Sequence, residues 1–258
     1  MKFYLKLGKN RRCRLWLKWQ NRNLRKYSQK YVVAYYESDK RGDLRIVSLM
    51  NLLQNAAQGH ALCQGVGIGL MSVKLRAWMT TRYAIKIIRM PRVDEKINIL
   101  TWISDRSRLA AIREFLIKDA KGNSLVEAVS KWVLVDLSTK KIVDIPSMPI
   151  WNRSLFPATF PHGSVKREDY SKSFAVCYDN IDVNQHVNNS LYPLWASESV
   201  DQAFRADHSL SEVIISFKKE AVYGEDVVVT TQQDGLRTAH RIASKEGEEH
   251  AKVTIKWS

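Results

Sequence analysis

Residues 178–198, YDNIDVNQHVNNSLYPLWASE, read as a polar, turn-rich loop running straight into a helix. Asp182, Asn184 and His186 fall at every second position, so an extended run would put their side chains on one face. Asn188 and Asn189 offer N-caps. From Ser190 onward Leu191, Leu194, Trp195 and Val200 recur at helical spacing, which places Pro193 in or near the first turn. An acid, an amide and an imidazole are thus presented beside a helix N-terminus, whose free N–H groups favour developing negative charge. That layout suits attack on a carbonyl carbon. It suits a polar loop furnished with caps equally well, and spacing alone does not choose.

The stretch has a counterpart. Shifted by 142, residues 33–57 lie on residues 175–199 without a gap: Tyr36 on Tyr178, Glu37 on Asp179, Ser48 on Ser190, Leu49 on Leu191 and Leu52 on Leu194. Each copy reads as strand, turn and helix. Strand-like runs follow at 79–90, 96–104, 109–118 and 125–136, and again at 212–221, 226–232, 236–243 and 250–257. One helix with several antiparallel strands, twice over, is an α+β architecture. Under this shift Asp182, Asn184 and His186 meet Lys40, Gly42 and Leu44, so the polar constellation exists once. One half can do chemistry and the other is free to act as a wall or pocket. Four of the six prolines, Pro146, Pro149, Pro157 and Pro161, lie in 145–170, which reads as a semi-rigid linker. The expected division is a basic arm at 1–30, a first unit at 31–144, the linker at 145–170 and a second unit at 171–258.

Composition bounds the rest. At 45% hydrophobic and 26% charged, 258 residues fit one large or two small globular domains. No run approaches the roughly 18 apolar residues of a membrane span. Cys13, Cys63 and Cys177 are odd in number and form no CxxC pair, which argues for a reducing compartment, here the cytoplasm. The net charge of +15 is concentrated in residues 1–30, with 11 Lys/Arg and no Asp/Glu. That arm lacks the apolar core of a secretory signal. It could meet an anionic membrane or nucleic acid, or be a plain extension; nothing later resembles a nucleic-acid module. GVGIG at 65–69 follows a helix and reads as a turn, not a dinucleotide loop. Asp182 and His186 have no second His or Cys at ligand spacing, so no metal and no cofactor is expected.

DxNxHVNN followed by YxxWxxE resembles the signature of the plant-type acyl-[acyl carrier protein] thioesterases, also found in bacteria. The resemblance continues through YESDKRGDLRIVSLMNLLQNAAQGHA (36–61), RAWMTTRYAIKI, TWISD and SKWVLVDLSTKKIVDIP, and spans roughly 31–258. It implies two hotdog folds in tandem, each a central helix wrapped by an antiparallel sheet. It also implies hydrolysis of an acyl thioester delivered by acyl carrier protein. In that family the first half holds the acyl chain and the second the catalytic residues. SFKKEA (216–221) resembles the family strand that ends in a catalytic Glu, which assigns that role to Glu220 beside Asp182, Asn184 and His186. The next family position is usually Cys; here it is Ala221, which argues for direct attack by water. The two carboxylates would position and activate water, His186 would carry the proton, Asn184 would face the carbonyl or the water, and N–H groups near Val187 to Asn189 would hold the oxyanion. Met50, Leu53, Ala57, Met71, Trp78 and Met79 are the expected acyl-pocket lining. The alternatives are an acyl-CoA thioesterase of the same fold and a non-enzymatic basic binding protein. Chain-length preference and homodimer formation are not legible.

Overall fold

A computed structural model describes residues 25–67, 75–150, 154–161 and 163–258. Met71 and nearly all of the basic arm lie outside the described residues. The elements run β1 (Lys26–Val32), α1 (Ile46–Cys63), β2 (Arg76–Ile87), β3 (Lys96–Arg106), β4 (Ala111–Asp119), β5 (Ser124–Asp136) and β6 (Lys141–Val143). Then come β7 (Tyr170–Ala175), α2 (Leu191–Glu198), α3 (Gln202–Asp207), β8 (Leu210–Phe217), β9 (Asp226–Asp234), β10 (Arg237–Ser244) and β11 (Glu249–Trp257). A single-turn 3-10 helix precedes each long helix, at Tyr35–Glu37 and Tyr178–Asn180.

The strands form one antiparallel sheet in the order β1-β3-β4-β5-β2-β8-β11-β10-β9-β7, with β6 paired to β5. The order is a palindrome of two like units joined at β2 and β8. Tyr83 faces Ile215 and Ala84 faces Ile214 across that seam. The helices share one core: Leu49, Met50 and Leu53 of α1 are packed in the same cluster as Tyr192, Trp195 and Ala196 of α2. Two tandem hotdog units therefore share one continuous sheet, as expected from the repeat.

Two boundaries differ from the sequence reading. β1 starts at Lys26, so the last residues of the basic arm belong to the sheet. Its Lys residues hid it: Tyr27 and Tyr31 pack on the core while Ser28 and Lys30 stay exposed, a pattern suited to an edge strand that must not recruit another chain. The register of the repeat also moves by one. Tyr35–Glu37 matches Tyr178–Asn180, the bridge Ser38–Leu44 matches Ile181–Val187, and positive φ at Gly42 (79°) matches Gln185 (68°). All are shifts of 143. Side-chain identities drew the sequence comparison to 142, whereas backbone hydrogen bonds fix the turn. Across the outer face, fully buried Glu114 of β4 accepts hydrogen bonds from Ser154 Oγ (2.7 Å) and the Leu155 N–H (2.8 Å), which pins the crossover to the first unit.

The second unit buries a polar knot on His240. Its Nδ1 lies 2.8 Å from Thr231 Oγ1, and its Nε2 lies 2.7 Å from Thr238 Oγ1. Burial pushes the imidazole down to about 3. The folded state thus binds fewer protons than the unfolded chain between about pH 3 and 6.5, so stability is lost as pH falls through that window. At pH 5 the loss is about 2 kcal/mol. Denaturant unfolding should show His240→Asn with a flatter decline between pH 7 and 5 by about that amount; an unchanged slope would remove this account.

Candidate active site

The loop of 178–189 is built by its own hydrogen bonds. Asp182 N–H donates to the His186 carbonyl (2.8 Å), and Asp182 Oδ1 accepts from the Asn184 N–H (2.8 Å) and, at 3.5 Å, from the His186 N–H. The Asn184 side-chain amide donates to Asp182 Oδ2 (3.2 Å). This is a carboxylate-capped turn, with Gln185 in the left-handed region at its tip. The expected extended run with three side chains on one face is not what forms: the carboxylate takes the backbone donors of the loop and curls it.

Glu220 arrives from the end of β8. The Val187 N–H donates to the Ala221 carbonyl (3.0 Å), and the Ala221 N–H donates to the Tyr192 hydroxyl (3.2 Å). These bonds stitch the loop, the β8 turn and α2 together, and they bring His186 Nε2 to 3.1 Å from Glu220 Oε2. Both side chains remain in reach of solvent, at 32% and 45% exposure. Tyr192, the first residue of YxxWxxE, is a supporting residue the sequence reading missed. Burial, with smaller contributions from Glu220, Glu225 and Asp182, pushes its hydroxyl up to about 12, so it stays protonated beneath the site. Trp195 stands edge-on to it at 5.5 Å between ring centres.

The first unit repeats the scaffold without those side chains. Asp39 Oδ1 accepts from the Arg41 and Asp43 N–H groups (2.8 and 3.1 Å), and the Asp39 N–H donates to the Asp43 carbonyl (2.8 Å). The Leu44 N–H donates to the Pro91 carbonyl (2.8 Å), as Val187 does to Ala221. Asp39 therefore stands at Asp182, Arg41 at Asn184, Asp43 at His186 and Met90 at Glu220. The aspartate belongs to the turn in both halves; the amide, the imidazole and the glutamate occur once.

The expected oxyanion donors separate too. The Val187 N–H is spent on Ala221, and the Asn188 N–H on the Asn180 carbonyl (2.9 Å). The Asn189 N–H makes no hydrogen bond among the described residues. Asn188 Oδ1 accepts from the Ser190 N–H (3.0 Å) and from Gln54 Nε2 (3.3 Å), while its Nδ2 faces Asn51 Oδ1 (3.4 Å). A polar stripe of α1 thus touches the loop of the other unit. On the neighbouring face of α1, Met50, Leu53 and Ala57 are buried. Trp78 and Met79 of β2 are half-buried, and Trp78 donates to the Val66 carbonyl (3.1 Å). Ala221 is fully buried; Cys177 is exposed, and burial raises the Cys63 thiol. Among the described residues no group of His, Cys, Asp and Glu is arranged for a metal, and no helix is long and apolar enough to cross a membrane.

Two family profiles cover the chain: the acyl-ACP thioesterase N-terminal domain over residues 24–148 and the C-terminal domain over 163–258. Oleoyl-acyl carrier protein thioesterase 2, chloroplastic, of Arabidopsis thaliana is 27% identical over 245 residues, 85% of this chain and 65% of its own. Palmitoyl-acyl carrier protein thioesterase, chloroplastic, of Gossypium hirsutum is 28% identical over 222 residues, 79% of this chain and 53% of its own. The chain thus spans less than two thirds of the length of these relatives. A Lactobacillus plantarum crystal structure described as an oleoyl thioesterase superposes with a TM-score of 0.80 at 28% identity, covering 92% of this chain and 97% of the other.

Proposed function

Since this chain belongs to the acyl-ACP thioesterase family, we propose that it hydrolyses acyl-[acyl carrier protein] thioesters to free fatty acid and carrier protein, ending chain elongation in the cytoplasm. The observation that carries the reading is the 3.1 Å contact of His186 with Glu220, made in one unit and absent from its twin, where Asp43 and Met90 stand.

His186 Nε2 faces the Glu220 carboxylate at 3.1 Å, close enough for the two to act as one acid–base pair. A water in reach of this pair loses its proton to it as the oxygen bonds the thioester carbon. Asn184 supports the water or the carbonyl from the turn, and the Asn189 N–H is the donor left for the oxyanion. Collapse breaks the C–S bond, and the proton returns to the departing sulfur. A thiol with a pKa near ~8.5 leaves readily, so base and oxyanion stabilisation carry most of the barrier. We assign Asp182 to holding the turn, because Asp39 does the same where no chemistry is expected. No cofactor enters the scheme.

The test is turnover of matched acyl chains on carrier protein and on CoA, with residues 1–24 present or deleted so that β1 stays intact. Hydrolysis faster on the carrier and indifferent to the deletion supports the reading. Faster turnover on CoA would reassign the substrate, and loss of the main activity with the arm would favour the binding-protein alternative.

We place the acyl chain in the first unit, against Met50, Leu53 and Ala57 of α1 and Trp78 and Met79 of β2; Met71, the remaining candidate, lies outside the described residues. Support comes from the helix itself, which carries this apolar face beside the Asn51 and Gln54 stripe at the site. Each methylene buried is worth roughly 0.8 kcal/mol. Ala57→Leu should therefore shift the profile of released acids to shorter chains, with turnover on the new best substrate within about tenfold. An unchanged profile in a stable variant would argue against this placement.

A further inference from the structure

Glu220 is presented by a turn, residues 218–225, that is clamped by the half-buried carboxylate of Glu225. Glu225 Oε2 accepts the Val222 N–H (3.0 Å), and its Oε1 lies 2.6 Å from His250 Nε2. The other ring nitrogen, His250 Nδ1, lies 3.3 Å from the carbonyl of Lys219, the residue before Glu220. His250 is 1% exposed, and its own carbonyl accepts the Lys218 and Lys219 N–H groups (2.8 and 3.3 Å).

The first unit has the same clamp with a different cation. Glu95 Oε2 accepts the Arg92 N–H (2.8 Å), and its two oxygens take a bidentate pair from Arg89 (2.7 and 2.9 Å). There the Leu125 carbonyl accepts the Ile88 and Arg89 N–H groups, so Leu125 stands at His250 and Arg89 at Lys219. The unit without the site constellation uses a guanidinium, charged at every working pH; the unit with it uses an imidazole.

Both acceptors facing His250, a carboxylate and a carbonyl, need a donor. The two bonds are made together only when both ring nitrogens carry protons. A neutral ring keeps one proton, holds the carboxylate, and turns a lone pair to the Lys219 carbonyl. The surrounding charges are otherwise committed: Lys219 to Glu248 in the β10–β11 turn, Glu249 to Arg241 of β10 and Lys252 of β11, and Asp226 of β9 to Lys245. From α2 the neighbouring group is the Tyr192 hydroxyl, which feels Glu225 and Glu220. We propose that His250 is a positioning residue whose protonated ring, clamped on Glu225, holds the Lys219 carbonyl and so aims Glu220 at His186. The clamp is complete while both ring nitrogens carry protons and loses the Lys219 bond when one is given up. The inference rests on the hydrolase reading for its kinetic arm alone.

Two measurements test it. The first is the pH profile of kcat on acyl carrier protein substrate for wild type, His250→Leu, and the double variant His250→Leu with Lys219→Arg, which transplants the first unit's clamp. His250→Leu should lower kcat roughly tenfold, since small misplacements of a reacting group carry losses of this order, with KM within about twofold. The double variant should recover most of kcat and lack the alkaline step that wild type shows. The second measurement is ring NMR of the histidines in the wild-type protein, which needs no turnover. The His186 resonances should shift at the His250 midpoint, and Glu225→Gln should move that midpoint. If the protein hydrolyses no thioester, the function reading fails and NMR alone decides. His186 signals blind to the His250 titration, or a double variant no better than His250→Leu, would overturn the proposal.

Discussion

A folded His186→Ala protein is expected to turn over acyl thioester about a hundredfold to ten-thousandfold more slowly than wild type, the range a placed acid–base group supplies. Glu220→Gln should fall in the same range, because the amide keeps the shape but neither takes a proton nor carries the charge that faces His186 Nε2 at 3.1 Å. Stability should barely change in either. Both side chains are partly exposed, and the turn below is closed by Asp182, by the Val187 link to Ala221 and by the Tyr192 hydroxyl, none of which is edited. The two losses should not add in the double variant, since each removes the same unit of function. Steady-state kinetics on proteins of verified fold decide it; His186→Ala within about tenfold of wild type would sink the mechanism.

The motif's tryptophan should behave in the opposite way. Trp195 is 5% exposed and packs on Tyr192 at 5.5 Å and on Phe174 at 5.7 Å. Truncation to Ala removes an aromatic from the core shared by both units, at a cost of about 3–5 kcal/mol. Such a loss consumes much of a typical domain's margin. Denaturant melts should show it directly. What folded Trp195→Ala protein remains should lose activity through Tyr192, whose hydroxyl then no longer holds the Ala221 N–H beside Glu220. Trp195→Phe, which keeps a ring in the space, should restore most of the stability. A Trp195→Ala protein as stable as wild type would show that the motif keeps this residue for something other than packing.

The twofold architecture was legible because strand alternation and the Leu49/Leu52 and Leu191/Leu194 pairs survive in both copies. Most strand limits fell within a few residues. The strand expected ahead of each turn lies slightly upstream, at Lys26–Val32 and Tyr170–Ala175, because the charged outward residues of β1 resemble an arm and β7 is a short edge strand. The registry error of one residue had the same root: identities such as Tyr36 with Tyr178 outvote a turn held by backbone bonds, which leave no mark in side-chain type. Within the site, Asp182, Asn184, His186 and Glu220 were nameable from the motif, but the hydrogen bonds by which Asp182 closes the turn, repeated by Asp39, were not. His250 carried no signal at all in sequence, since it stands on a strand 64 residues from His186 and meets the site only through a carbonyl.

The seam between β2 and β8 ties two copies of one unit into a single polypeptide, and that bears on how the molecule can change over generations. In an assembly of identical chains every substitution is written twice, so a residue that enlarges a binding surface in one copy also appears beside the reacting groups in the other. Here Arg41, Asp43 and Met90 could drift away from Asn184, His186 and Glu220 while the scaffold under both was kept. Under the proposed division of labour, selection for a new acyl group would act on one half of the gene with the half carrying His186 and Glu220 held constant. Variation in the first 150 codons and constancy in the last 90 is the pattern such a molecule permits, and a symmetric dimer forbids.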